Sequence, residues 1–173
     1  FFFFLFIYQA LAEKNFKTPT EVQSKLIPLI QQGRSVVGQS QTGSGKTLTF
    51  LLPLMDKIDA TKEQVQIVIT APSRELATQL YQVAKEIAVF SNPEIRVTNF
   101  VGGTDKQRQI NRLNNQQPHI VIGTPGRILD LITEQALKIH TAFAFVIDEA
   151  DMTLDLGFLN EVDKIASCFS GKI

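Results

Sequence analysis

The sequence predicts a three-layer α/β domain, doubly wound around a mostly parallel sheet. Three observations carry this. Short apolar runs with little polar alternation recur along the chain, the pattern of strands buried on both faces. Stretches of 3.6-residue periodicity lie between them, so each strand is followed by a crossover helix. The length of 173 residues leaves room for one domain of ordinary size. Right-handed crossovers place helices on both faces of such a sheet. Ligands then bind at the carboxyl ends of the strands, so the turns after the strands are where chemistry is expected.

Residues 1–8 are all apolar or aromatic. They lack the basic start and small-residue cleavage site of a signal peptide. They also fall far short of the ~20 apolar residues that cross a bilayer, so no membrane association is expected. They read as the start of a buried segment, or as a cloning or reading-frame remnant. Candidate strands follow at 35–38, 65–70, 96–101, 119–122 and 144–147. A helix over 45–58 turns Leu48, Leu51, Leu52 and Met55 inward, with Pro53 expected to kink it. A second, over 74–90, has Leu76, Leu80, Val83, Ala84 and Ile87 on one face. The polar stretch 104–117 reads as a solvated helix with Ile110 and Leu113 inward. Pro125 suits the first position of a short helix carrying Ile128, Leu129 and Ile132.

Composition narrows the function classes. Apolar residues are 44% and charged residues 20% of the chain, a globular and not a disordered balance. Lys plus Arg and Asp plus Glu are 17 each, which excludes a polybasic protein that holds nucleic acid by bulk charge. Any nucleic-acid site must be local. The single cysteine, Cys168, forms no intrachain disulfide and suits a reducing, cytoplasmic setting. His119, His140 and Cys168 lack metal-ligand spacing and read as structural or surface residues.

After the first strand comes Ser40-Gln41-Thr42-Gly43-Ser44-Gly45-Lys46-Thr47. Gly43 and Gly45 let successive backbone N–H groups turn inward onto phosphate. The helix beginning near Gly45 adds its positive end. Lys46 reaches the outer phosphates, and the Thr47 hydroxyl suits magnesium. Ser40 stands where the pattern usually has Gly, and a small residue keeps the loop viable. A later apolar strand ends in Asp148-Glu149-Ala150-Asp151. Asp148 at a strand end suits Mg²⁺, directly or through water, and Glu149 can orient or deprotonate an attacking water. A guanine-reading Asn/Thr-Lys-x-Asp element is missing, since Thr61-Lys62-Glu63-Gln64 lacks the Asp; adenine is favoured. No Gly-x-Gly-x-x-Gly follows a strand, which disfavours a dinucleotide-binding dehydrogenase.

With both motifs in place, the chain resembles the first RecA-like domain of a DEAD-box RNA helicase. Asp148-Glu149-Ala150-Asp151 spells the family name. Residues 16–23, Phe16-Lys17-Thr18-Pro19-Thr20-Glu21-Val22-Gln23, look like its adenine-reading Q motif, within a Q-motif region over 6–23. Pro72-Ser73-Arg74-Glu75-Leu76-Ala77 is similar to motif Ia, Gly102-Gly103 to the double-glycine element, and Thr124-Pro125-Gly126-Arg127 to motif Ib. The wording is similar to bacterial cold-shock-type members. Three residues depart from the pattern: Asn15 for the usual Gly, Ser73 for Thr, and Thr153 for a larger apolar residue.

The resemblance implies an ATP-dependent RNA helicase and ATPase. ATP and Mg²⁺ would be held by Phe16, Thr18, Gln23 and the loop from Gln41 to Thr47. Gln23 can pair with adenine through its amide, and Phe16 can stack on the base. Phe6 reads as core packing rather than as a further base contact. Lys46, Asp148 and Glu149 would be catalytic, and Asp151 would couple to a second RecA-like domain. Arg74, Gly102, Gly103, Thr124, Pro125 and Arg127 would hold the RNA backbone, without reading its sequence. A phosphate-loop ATPase module that does not act on RNA is the alternative.

The resemblance also sets expectations for residues 1–173 as a whole. They read as this first domain, incomplete at its C-terminal end, because the chain stops before the family's Ser-Ala-Thr motif III. Losing the strand that leads there would leave a slot beside the acid-bearing strand. The second RecA-like domain would be absent, and the fragment alone inactive or very weak.

Overall fold

The computed structural model describes residues 3–16, 18–36 and 45–169. In chain order the elements are α1 (Leu5–Glu13), α2 (Glu21–Gln31), α3 (Lys46–Asp56), β1 (Ile67–Thr70), α4 (Arg74–Ala88), β2 (Val97–Phe100), α5 (Lys106–Asn115), β3 (Ile120–Gly123), α6 (Pro125–Thr133), β4 (Ala144–Ile147), α7 (Ala150–Asp155) and α8 (Leu159–Ser167). The described strands form one parallel sheet in the order β2-β3-β1-β4. β1 is central, with Ile67 opposite Ile120 on one side and Ala144 on the other. Ser35 and Val36 lie outside any strand, and Val37 and Gly38, the rest of the first expected strand, lie outside the described residues.

Side chains alternate across a strand, and here the alternation divides the core in two. Ile67, Ile69, Ile120 and Ile122 point into a cluster with α1 to α4. Val68 and Val121 point into the opposite cluster, with Phe100, Leu113 of α5, Ile128 and Leu131 of α6, and Ile165 of α8. This is the three-layer arrangement that the apolar runs predict. Each fully buried Ile or Leu contributes about 1.5–3 kcal/mol.

The helices keep their expected faces. Leu80, Ala84 and Ile87 of α4 are buried, with Leu76 and Val83 packed beside them. Leu48, Leu51, Leu52 and Met55 of α3 are buried, and α3 continues through Pro53 to Asp56. Ser73 caps α4 by accepting from Leu76 N at 3.2 Å, so Ser serves where the family uses Thr. Asn15 closes α1 at φ 61°, in the left-handed region where Asn is among the few tolerated residues other than Gly.

From Leu5 onward the N-terminal run is helical and only partly buried. Ile7 and Ala10 face the core, whereas Phe4 and Leu5 are exposed. Phe6 packs against the first core cluster, as a core residue does. His119 is fully buried, and its Nδ1 accepts from Arg96 N at 2.9 Å. Burial lowers its pKa, helped by the nearby Arg96 charge. Cys168 is a free thiol donating to Lys164 O, and His140 is exposed.

Candidate nucleotide and nucleic-acid site

The carboxyl ends of β1 and β4 meet the start of α3. Asp148 N donates to Thr70 O at 2.9 Å, which ties the acid-bearing turn to the central strand. Lys46, the first residue of α3, lies 3.6 Å from Asp148 Oδ1 and 3.3 Å from Glu149 Oε1. The three residues that sequence alone singles out as catalytic are therefore one cluster. Asp148 is buried at 8% exposure. Burial pushes its carboxyl pKa up; Lys46 pulls it down, and the Glu149 charge adds to the rise. Glu149 stands at φ 52°, a strained conformation for a residue with a side chain. Its carbonyl accepts from Thr153 N at 2.9 Å and from Thr153 Oγ1 at 3.0 Å. Thr153 is fully buried, so the hydroxyl at this departure from the family pattern holds the strained turn.

A cavity of about 1020 Å³ runs from this cluster towards α1. Lys46, Thr47, Asp148 and Glu149 line one end, and Phe16, Thr18 and Gln23 line the other. Phe16 is 50% exposed. Gln23 is buried and committed on two sides. Its Oε1 accepts from Thr20 N at 2.9 Å, closing a capping box at the start of α2. Its Nε2 donates to Gly45 O at 3.1 Å. An amide carries two N–H donors and two acceptor lone pairs, so among the described residues one of each remains. Gly45 sits at φ 84°, and a methyl there would fall 2.4 Å from Gln23 Nε2. Only glycine lets the loop and the Q segment approach this closely. Gln41, Thr42, Gly43 and Ser44 lie outside the described residues.

Magnesium fits the donor set. Among the described residues no group of three or more His, Cys, Asp or Glu converges on a metal-sized site. At the Lys46 end the cavity offers one buried carboxylate, Asp148, and one hydroxyl, Thr47. Hard oxygen donors in such small number match Mg²⁺, which keeps waters and shares its shell with phosphate oxygens.

A second group forms on the rim beyond β1, β2 and β3. Arg74 opens α4, and its guanidinium lies over Gly103: a methyl on Gly103 would sit 2.7 Å from Arg74 Nη1. Arg127 Nη1 donates to Thr104 O at 3.1 Å and to Gln109 Oε1 at 2.7 Å. Thr124 N donates to Phe100 O at 3.2 Å, bringing the start of α6 beside the 101–104 turn. Arg74, Gly102, Gly103, Thr124, Pro125 and Arg127 thus share one rim, as expected. Asp151 is exposed in the first turn of α7. Two features escaped the sequence reading, the Gln109 link and the Thr20–Gln23 capping box. The second had a legible signal in its Thr-x-x-Gln spacing.

The family profile described as DEAD/DEAH box helicase matches residues 20–172. The chain is 59% identical over 161 residues to the DEAD-box ATP-dependent RNA helicase CshB of Listeria monocytogenes, covering 93% of this chain and 37% of that protein. The Bacillus subtilis protein of the same name is 55% identical, over 94% of this chain and 37% of that protein. The chain thus spans little more than a third of these relatives. Among solved structures, a DEAD box protein from Methanococcus jannaschii superposes with a TM-score of 0.91 at 34% identity, over 99% of this chain and 46% of that one. Saccharomyces cerevisiae Dbp5, bound to RNA and ADP BeF3, superposes with a TM-score of 0.86 at 27% identity, over 97% and 42%. The fold is the RecA-like α/β fold, and the chain belongs to the DEAD/DEAH box helicase family.

Proposed function

We propose that this chain is the ATP-binding domain of an ATP-dependent RNA helicase, and that the full-length protein couples ATP hydrolysis to local opening of RNA duplexes in the cytoplasm. The observation that carries the proposal is the convergence of Lys46, Asp148 and Glu149 at one end of a cavity whose other end holds Phe16 and Gln23. Phe16 stacks on adenine, with Thr18 beside it. The spare N–H and lone pair of Gln23 meet the base edge. Residues 41–45 and Lys46 take the phosphates. When bound through Asp148 and Thr47, Mg²⁺ neutralises charge that develops on the phosphate oxygens.

Glu149 orients the attacking water and receives its proton. Lys46 pairs with both acids; phosphate competes for its ammonium and frees Glu149 for this role. Arg74, Gly102, Gly103, Thr124, Pro125 and Arg127 grip the RNA sugar-phosphate backbone, which accounts for binding by a chain of zero net charge. Asp151, exposed beside this cluster, contacts a second RecA-like domain. Residues 1–173 then supply half of a two-domain motor, and the chain alone turns over ATP weakly or not at all. The rim cluster, and relatives named as RNA helicases, weigh against an ATPase module indifferent to RNA.

The test is RNA-stimulated ATP hydrolysis by the full-length protein. Glu149→Gln should retain ATP binding while turnover falls at least 100-fold, the order contributed by a placed general base. Turnover at the wild-type rate would remove Glu149 from its role. ATP hydrolysis indifferent to RNA would favour the plain ATPase module.

A further inference from the structure

Gln109 is a polar residue buried, with Leu113, on an otherwise largely polar and solvated helix. It is 6% exposed, while Lys106, Gln107, Arg108, Asn111 and Arg112 of the same helix are half-buried or exposed. Both ends of its amide are used. Nε2 donates to Thr104 Oγ1 at 2.7 Å, and Oε1 accepts from Arg127 Nη1 at 2.7 Å. Thr104 Oγ1 in turn donates to Val101 O at 2.7 Å, and Arg127 Nη1 also donates to Thr104 O. These bonds form a closed ring around the turn that presents Gly102 and Gly103. The ring uses only one nitrogen of Arg127. The other guanidinium nitrogens make no hydrogen bond to the described residues, and remain for an outside acceptor.

Simple packing does not account for such a residue. A leucine or methionine would fill the site without the cost of burying an amide. The amide does what an apolar side chain cannot: it holds a cation by one nitrogen and thereby aims the rest of its fork. It also joins two segments distant in sequence, the turn after β2 and the start of α6.

We propose that Gln109 is a positioning residue for RNA-backbone binding. It locks Arg127 against the 101–104 turn, so that Arg127, Gly102-Gly103 and Arg74 present one preorganised phosphate-binding surface. Gln109 itself does not touch RNA. The inference rests on the reading of this rim as an RNA-backbone site.

The experiment uses the full-length protein, a fluorescein-labelled oligouridylate and a non-hydrolysable ATP analogue, with binding read by anisotropy. Gln109→Met removes both hydrogen bonds at nearly constant volume. It should raise the RNA Kd about tenfold, the effect of one lost hydrogen bond to a charged group. The RNA concentration for half-maximal ATPase stimulation should rise with it. The maximal rate at saturating RNA, and ATP affinity without RNA, should stay at wild-type values; a fall in both instead would mark simple loss of folded protein and overturn the proposal. Gln109→Glu keeps an acceptor for Arg127 and should recover most of the affinity. Thr104→Val breaks the ring from its exposed end and leaves Gln109 in place. It should weaken RNA binding in the same direction and less than additively with Gln109→Met. RNA affinity unchanged in Gln109→Met and Thr104→Val, beside a clear loss in Arg127→Ala, would overturn the proposal and leave the RNA-backbone reading standing. Unchanged affinity in Arg127→Ala would overturn that reading first.

Discussion

Gly123 ends β3 immediately before the segment that carries Thr124, Pro125 and Arg127. A methyl added there would lie 2.1 Å from Phe100 O, 3.0 Å from Phe100 C and 3.1 Å from Ile128 Cγ1. The first two atoms are backbone of the paired strand β2 and cannot rotate away. Gly123→Ala must therefore push β2 and β3 apart at their carboxyl ends. Overpacking of this kind costs about 1–3 kcal/mol. The bond from Thr124 N to Phe100 O, 3.2 Å long, spans the same point, and its loss adds about 0.5–1.5 kcal/mol. The sum is about 1.5–4.5 kcal/mol. In a domain of this size that lowers Tm by roughly 3–18 °C. Gly126 provides the matched control. It lies within α6, three residues further on, and nothing comes within 4 Å of an added methyl. Gly126→Ala should stabilise by about 0.5–1 kcal/mol, through the smaller entropy of its unfolded state. Both are measured by urea unfolding followed by far-ultraviolet circular dichroism. Equal stability of Gly123→Ala and the wild type, within 0.5 kcal/mol, would refute the steric reasoning. So would the same sign of change in both variants.

Two further outcomes test the nucleotide end. Asp148 has a raised pKa in the folded chain, chiefly through burial. The stability linked to its proton is complete below the unfolded carboxyl value of about 3.9 and is lost as pH rises through the folded value. Asp148→Asn should therefore melt no lower than wild type at pH 7 without ligand, and this difference should vanish in acid; Mg²⁺-dependent stabilisation by ATP should disappear. A variant that melts well below wild type at pH 7 would show that the Lys46 pair outweighs burial. Gln23→Ala should relax the preference for ATP over GTP, read as the ratio of their calorimetric affinities, and lower stability by about 1 kcal/mol through loss of the capping box. A preference unchanged from wild type would separate Gln23 from base reading.

The layers of the fold, and the segments where chemistry is proposed, were legible in the sequence. Apolar runs such as 67–70 and 120–122 have no polar face, so they are buried on both sides, and the periodic stretches between them form the outer helices. The glycine-rich loop and the acid run stood out as a candidate nucleotide site because phosphate and magnesium chemistry needs such residue types in a fixed local order. Helix α1 was not legible, since the unbroken apolar run up to Tyr8 masks the few positions, Ile7 and Ala10, that face the core.

Which distant groups meet became visible only in the folded chain. It set Lys46 against Asp148 and Glu149 across a hundred residues of chain, and turned Gln23 back onto Gly45. It also placed Gln109 between Thr104 and Arg127. The physical reason is one of range. Periodicity and turn chemistry act over a few residues and are written locally. The partner of a buried polar group is chosen by strand order and crossover, and by the need to satisfy every donor and acceptor once the chain has closed around it.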